Sequence, residues 1–435
     1  MNNNIKDIYS LSKVLFPIHR SLMGKNNLKT LEIIKSIIPS LKIKFFRSGK
    51  KSFDWVVPKE WNLKEAYIAD MEGNKIIDIV NNNLHVVQYS ISVNKILSFR
   101  ELKDNLYFIK SSPNAIPYIT SYYKKKWGFC ISYNQYKKLS KLKNLKIKIS
   151  SDFKNNKMHY GEMVIKGKSN KEILLTTYIC HPSMANNEVS GPALLTYLSK
   201  WILSNNNYYS YRILFIPESI GTISYISDNL KILKKKVVAG LVVTCVGTNH
   251  SLSYIKTKND NSLTNKVLIH YLKKNRKKKI FEYSHKGSDE RHYNSPNISI
   301  DIGSLMSNKY GTYKEYHTSL DNLKFISNKG LNFMYHHYIE VIKLFEINIT
   351  YQSNIFCEPF LSKRNLYPTL SKNYRSKEYR FSINLLNVLD YCDSKNDLID
   401  ISNTLKLDIE QVYEYIKILK SNNLISISNE QKNYN

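Results

Sequence analysis

Apolar and polar positions change period along this chain, and the changes mark out its parts. Ile8, Leu11, Val14 and Leu15 recur at helical spacing, and a second helical stretch covers residues 28–38. Residues 55–150 shift to short β-rich pieces at 55–57, 66–69, 75–80 and 84–91, separated by turn chemistry such as Met71-Glu-Gly-Asn74. Beyond that, apolar runs at 173–180, 213–216 and 237–244 read as buried strands. They alternate with helical patterns at 192–203, 221–231, 262–274 and 329–346, with Ser190 placed to cap the first and Pro192 in its opening turn. Such alternation predicts a mostly parallel sheet covered by helices on both faces. A polar linker after Cys357 runs to about 378, and helical patterns follow at 384–391, 398–405 and 408–425, the last running into a strand. Three helices and a strand make the winged-helix pattern.

Composition narrows the class. With 435 residues and 42% of them hydrophobic, the chain is globular and long enough for two or three domains. No apolar run approaches the ~20 residues of a membrane span, and the first residues lack a signal peptide's apolar core, so a cytoplasmic protein is expected. Cys130, Cys180, Cys245, Cys357 and Cys392 are scattered with no CxxC pair, which argues against a disulfide scaffold or a thiolate zinc site. The formal charge of +30 raises nucleic acid or an anionic membrane as partners. The lysines are spread along the chain, however, and the densest runs, 234–236 and 273–279, fall at expected helix ends, where cations suit the dipole. The third helix of the tail carries Asp408, Glu410 and Glu414, which would meet phosphate badly. Nucleic acid is therefore not expected as a partner; packing or protein binding is expected of the tail.

Chemistry-bearing groups fall at the ends of the expected strands. His181 ends the first, Glu218 follows the second, Asp289 precedes the apolar stretch at 298–301, and His317 lies in the loop 316–322. A parallel sheet gathers such groups along one edge. Zinc takes imidazole and carboxylate ligands and, in catalytic sites, keeps a position for water. A neighbouring glutamate can then take the water's proton and pass it to a leaving amine. Each residue also has a structural reading: His181 as a loop hydrogen-bonder, Glu218 as a carboxylate at a helix N-terminus, Asp289 as a cap, Asp321 as a turn anchor.

As a set, His181-Pro-Ser-Met-Ala-Asn-Asn-Glu-Val-Ser-Gly191, Pro217-Glu-Ser-Ile-Gly221, Thr244-Cys-Val-Gly247, Gly287-Ser-Asp-Glu-Arg291 and Glu315-Tyr-His-Thr-Ser-Leu-Asp321 resemble bacterial aminopeptidase-like proteins of the zinc-aminopeptidase superfamily, often linked to surface-polysaccharide genes. The resemblance extends to Leu15-Phe-Pro-Ile-His-Arg-Ser21, Phe53-Asp-Trp-Val-Val-Pro-Lys-Glu-Trp61, Ile116-Pro-Tyr-Ile-Thr-Ser-Tyr-Tyr123, Trp127-Gly-Phe-Cys130, Leu366-Tyr-Pro-Thr-Leu370 and the tail, so it covers nearly the whole chain. It implies an α/β fold, a mostly parallel sheet sandwiched by helices, made of residues 1–54 and 151–355, with an inserted β-rich domain at 55–150 and a winged helix at 375–435.

Residue by residue, the resemblance makes His181 and His317 zinc ligands, Glu218 the general base and Asp289 a further metal-binding position. It also places Asn187, Ser219 and Thr244 where active zinc aminopeptidases carry carboxylates, and Thr248-Asn-His250 where an acidic stretch is expected. Asn187 is a departure even among the aminopeptidase-like relatives. An amide keeps the shape of a bridging aspartate and loses its charge, so one zinc ion is expected rather than two, and an empty site stays open. Arg291 is expected to hold a substrate carboxylate or phosphate. The expected activity is hydrolysis of an amide, at a peptide N-terminus or an N-acyl group of a glycan precursor. The alternative is a metal-poor pseudo-peptidase that binds or assembles in surface-polysaccharide biosynthesis. A homo-oligomer is compatible with either.

Overall fold

The computed structural model describes residues 6–249, 251–367 and 376–428; His250 and residues 368–370 of the motifs above lie outside them. The chain forms two compact units: residues up to Asn259 with Lys277–Tyr338, and Asp260–Arg276 with the residues from Ile339 onward.

The first unit is built on an eight-stranded sheet in the order Lys42–Arg47, Lys157–Ile165, Ser210–Ile216, Glu172–Tyr178, Val237–Val243, Ile302–Met306, Leu252–Ile255, Lys278–Phe281. The four central strands, from Ser210–Ile216 to Ile302–Met306, run parallel. Antiparallel pairings occur on either side of them, at Lys157–Ile165 and at Leu252–Ile255. Glu172–Tyr178 and Ser210–Ile216 are buried at every position, which is why they read as continuous apolar runs rather than alternating ones. The helices Ser190–Leu203 and Ile220–Lys236 follow these two strands, close to the sequence expectation.

A second, antiparallel sheet orders Lys75–Asp78, Glu60–Ala69, Asn144–Lys154 and Val93–Ser98. One apolar cluster joins Ile68 and Ile147 of this sheet to Leu174 and Val242 of the larger one. The strand expected at 84–91 does not form; only the isolated bridges Val86–Phe129 and Gln88–Thr120 occur there. Its polar residues are buried too and bond to backbone distant in sequence: His85 Nδ1 meets the Cys130 carbonyl at 2.8 Å, and Gln88 Nε2 donates to the Arg20 carbonyl at 2.7 Å. The apparent alternation was therefore a buried polar clamp, not a half-solvated strand.

In the second unit, the strands Asp393–Asp397, Thr350–Ser353 and Ile425–Ile427 form a small antiparallel sheet beside the helices Lys377–Asp390, Leu398–Leu405 and Ile409–Ser421. Asp397 caps Leu398–Leu405 in a capping box with Asp400, and Lys266 of the helix Leu263–Lys273 meets both carboxylates at 2.6 Å.

Candidate active site

The strand Glu172–Tyr178 delivers its chain through Ile179 and Cys180 to His181, which is 5% exposed. Helical geometry then starts earlier than expected. A π-turn spans Ala185–Val189 and continues into Ser190–Leu203, so Ser190 is no cap; its hydroxyl bonds back to the Asn186 carbonyl. The N-terminal acceptor comes from a distant loop instead. Asp321 receives the amides of Asn186 at 2.6 Å and Asn187 at 3.0 Å, and burial pushes its pKa up to about 7.

The π-turn aims Glu188, wholly buried, back at His181. One carboxylate oxygen accepts the His181 backbone amide at 2.7 Å, and the other stands 2.8 Å from ring Nδ1. The other ring nitrogen, Nε2, faces Glu218 Oε2 at 3.5 Å. Behind the loop, Arg20 Nε donates to the His181 carbonyl at 3.1 Å. Burial opposes a charged His181, but the Glu188 carboxylate and Cys180 outweigh it and hold the ring's pKa well above its ordinary value.

Glu218 leaves the strand Ser210–Ile216 just before a sharp bend: Ser219 has φ +60°, a left-handed conformation, and the helix Ile220–Lys236 begins after it. Glu218 accepts the Ser288 hydroxyl at 2.8 Å, and burial raises its pKa despite His181 nearby. Glu290 fixes that partner by accepting the amides of Gly287 and Ser288 at 2.9 and 3.1 Å. Asp289 spends both oxygens on the helix, taking the Ser219 amide at 2.8 Å and the Thr222 hydroxyl at 2.7 Å. Burial, then Glu218, push its pKa up to about 8. Arg291 is exposed, with Nη2 2.9 Å from the Ser219 hydroxyl.

His317 sits at φ +54° in a loop held by residues 116–118: Tyr118 donates its amide to the His317 carbonyl at 2.8 Å, and Ile116 donates to the Ser319 hydroxyl at 3.0 Å. Its ring stacks on Tyr316 and lies 5.7 Å, centroid to centroid, from that of His181, with the Tyr118 ring against both. Burial, reinforced by His181, lowers its pKa to about 3. The Asn187 side chain has neutral partners: its Oδ1 accepts the Tyr178 hydroxyl at 3.3 Å and the Cys245 thiol at 3.7 Å, and its carbonyl accepts Thr244 Oγ1 at 2.9 Å.

Two donor sets therefore flank the His181 ring. On the Nδ1 side, Cys180, His181 and Glu188 form the one compact group of potential ligands among the described residues. The 2.8 Å approach of Glu188 to Nδ1 is shorter than the about 3.3 Å that separates two ligands of a tetrahedral zinc, and the Cys180 sulfur lies 3.4 Å from the same nitrogen. Burial also pushes the Cys180 thiol up to about 11, which keeps it protonated. That side supports the ring. On the Nε2 side stands the Glu218 carboxylate; imidazole and carboxylate are donors that a catalytic zinc takes, but the donor atoms of His181, Glu218 and His317 do not all lie within 4.8 Å of one another. The structure thus sets Glu218 beside His181 and the His317 ring 5.7 Å from the His181 ring, turns Asp289 to a helix end, gives the Asn187 side chain neutral partners and leaves Arg291 exposed. Sequence reasoning passed over Glu188, Tyr118 and Ser288. For Glu188 the available signal was a lone carboxylate within an otherwise small and apolar turn after the histidine.

A central parallel sheet with these groups at its strand ends, and a winged helix behind it in sequence, define an aminopeptidase-like α/β protein. The chain belongs to the family described as domain of unknown function DUF4910, whose model matches residues 9–348; a winged helix-turn-helix model matches 349–427. A Clostridium acetobutylicum protein named for polysaccharide biosynthesis and an aminopeptidase-like domain is 42% identical over 403 residues, 91% of this chain and 90% of that protein. A crystal structure from Clostridium acetobutylicum, provisionally named a peptidase, superposes with a TM-score of 0.87 at 39% identity, covering 97% of this chain and 96% of the other. BSAP, a zinc aminopeptidase from Bacillus subtilis, shares the fold with a TM-score of 0.54 at 14% identity, over 77% of this chain and 92% of its own.

Proposed function

We propose that this protein is an aminopeptidase-like amide hydrolase that works with a single zinc ion in the cytoplasm. The observation that carries this reading is the His181 ring, fixed by Glu188 with Nε2 3.5 Å from Glu218 and His317 alongside. His181 and His317 would hold the ion. When bound, zinc lowers the pKa of a water and polarises the scissile carbonyl. Glu218 would take the proton of the attacking water and deliver it to the leaving amine, a task helped by burial, which raises its pKa. Arg291, beside Ser219, receives a carboxylate or phosphate of the substrate. Asp289 acts through the helix it caps rather than as a ligand. The relative is named for polysaccharide biosynthesis, which supports an N-acyl group of a glycan precursor as the substrate amide, with a peptide N-terminus as the other amide of this class. The acidic third helix of the tail suits packing or a protein partner.

Metal analysis after chelator treatment and zinc reconstitution tests this reading. About one zinc per chain is expected, lost in His181→Ala and His317→Ala. A wild-type protein that stays zinc-free removes the hydrolase reading. One observation favours a second reading, the pseudo-peptidase: the neutral side-chain partners of Asn187. That reading requires zinc uptake or amide hydrolysis to appear only on Asn187→Asp.

A further inference from the structure

We infer that Glu188 is a positioning residue that dictates which nitrogen of His181 carries the free lone pair, the one on the side of Glu218. This rests on the zinc reading for its consequence but not for its geometry. The two oxygens of Glu188 engage the same residue twice: Oε1 accepts the His181 backbone amide at 2.7 Å, and Oε2 stands 2.8 Å from ring Nδ1. With the backbone amide as one fixed donor, the other oxygen has no hydrogen bond of its own and lies nearest to Nδ1, so a proton on that nitrogen, rather than one donated by the Cys180 thiol 3.4 Å away, would satisfy it. The lone pair of a neutral ring is then forced onto Nε2, the nitrogen 3.5 Å from Glu218. A metal-binding imidazole needs this kind of partner on its far nitrogen, and such partners commonly alter metal affinity 10- to 100-fold.

The carboxylate is itself held in place. It is wholly buried in the π-turn Ala185–Val189, where the amides of Glu188 and Val189 both bond to the Met184 carbonyl. A π-turn inserts a residue into a helical path and is found frequently at functional sites. Here the extra residue rotates position 188 out of the helix and under the histidine. Arg20, buried nearby, ties its Nε to the His181 carbonyl, so a cation backs the Glu188 charge.

Glu188→Gln is nearly isosteric and gives a sharp test. Its amide oxygen must still accept the backbone amide of His181, which leaves the NH2 group facing Nδ1. A donor now meets a donor, and the neutral ring has to move its proton to Nε2, where it cannot ligate. Ring ¹⁵N spectra of metal-free protein, at a pH where the ring is neutral, are expected to show Nδ1–H in the wild type and Nε2–H in Glu188→Gln. Competition titration with zinc alone is expected to show a 10- to 100-fold loss of affinity in Glu188→Gln. Glu188→Asp, too short to span both contacts, is expected to give a mixed ring population and an intermediate loss. An unchanged proton position in both variants overturns the assignment. If wild type and variants alike fail to bind zinc, the hydrolase reading falls, and the metal-free ring spectra still decide the role of Glu188.

Discussion

Asn187 is enclosed by the hydroxyls of Tyr178 and Thr244 and the thiol of Cys245, and its backbone amide lies against the Asp321 carboxylate. A second carboxylate at this position, close to Asp321, would be buried without a counter-charge. Asn187→Asp is therefore expected to destabilise the metal-free protein by about 1–3 kcal/mol, and added zinc is expected to restore more stability to the variant than to the wild type. Thermal unfolding with and without zinc checks this; an equal zinc shift in both proteins would mean that no second cation is accepted there. His19 provides a pH-dependent counterpart outside the site. Burial, then Arg20, lowers its pKa from 6.5 to about 4, so the unfolded chain binds a proton that the folded chain refuses. Its contribution is present above pH 6.5 and is lost as pH falls toward 4, by on the order of 2–3 kcal/mol. In His19→Gln, the loss of stability between pH 6.5 and pH 4, measured by urea unfolding, should be shallower than in the wild type by that amount.

Among the elements, the helix Ile220–Lys236 shows how the site depends on its supports. It begins after a left-handed Ser219 with no side-chain cap of its own, and Asp289 supplies the acceptors from another loop. Asp289→Ala is expected to cost about 1–2 kcal/mol in chemical unfolding while leaving zinc stoichiometry unchanged. A lost zinc ion in that variant would restore Asp289 as a ligand. The helices and the buried strands of the large sheet were readable because period and apolar run length survive in one dimension, and the placement of His181 and Glu218 just past two neighbouring strands was readable because the ends of parallel strands converge. What was hidden depends on partners distant in sequence. The helix after His181 takes its N-terminal acceptor from Asp321, so no local cap marked its start. The segment 84–91 buries Gln88 and His85 against remote carbonyls, which mimics strand alternation. Glu188 lies seven positions from His181, and only a π-turn, which has no sequence period of its own, brings the two together.

For the whole molecule, the remaining question is what a charge of +30 does when the chain also carries a winged helix. Dispersed lysines attract any polyanion at low salt, because each neutralised phosphate releases counterions, and that attraction carries no sequence information. Reading a sequence needs a helix that tolerates the phosphate walls of the major groove. The helix Ile409–Ser421 opens on Asp408 and Glu410, which Lys274 meets at 3.5 and 3.3 Å, and its next turn adds Glu414, paired with Lys417. Exposed pairs like these contribute little stability, yet they occupy lysines that would otherwise face phosphate. We therefore expect the full-length protein to retain duplex DNA of any sequence at low salt and to release it steeply, with log affinity falling by about 0.9 per log unit of salt for each phosphate contacted. At about 150 mM salt, binding should be weaker than about 10⁻⁶ M and the same for scrambled sequences. Replacing Glu410 and Glu414 with lysine should strengthen low-salt binding and steepen its salt slope without creating sequence preference. Fluorescence anisotropy across a salt series distinguishes the cases: a site bound at about 10⁻⁸ M in physiological salt, with scrambled duplexes excluded, would make the tail a DNA reader and overturn its assignment to packing or protein contact.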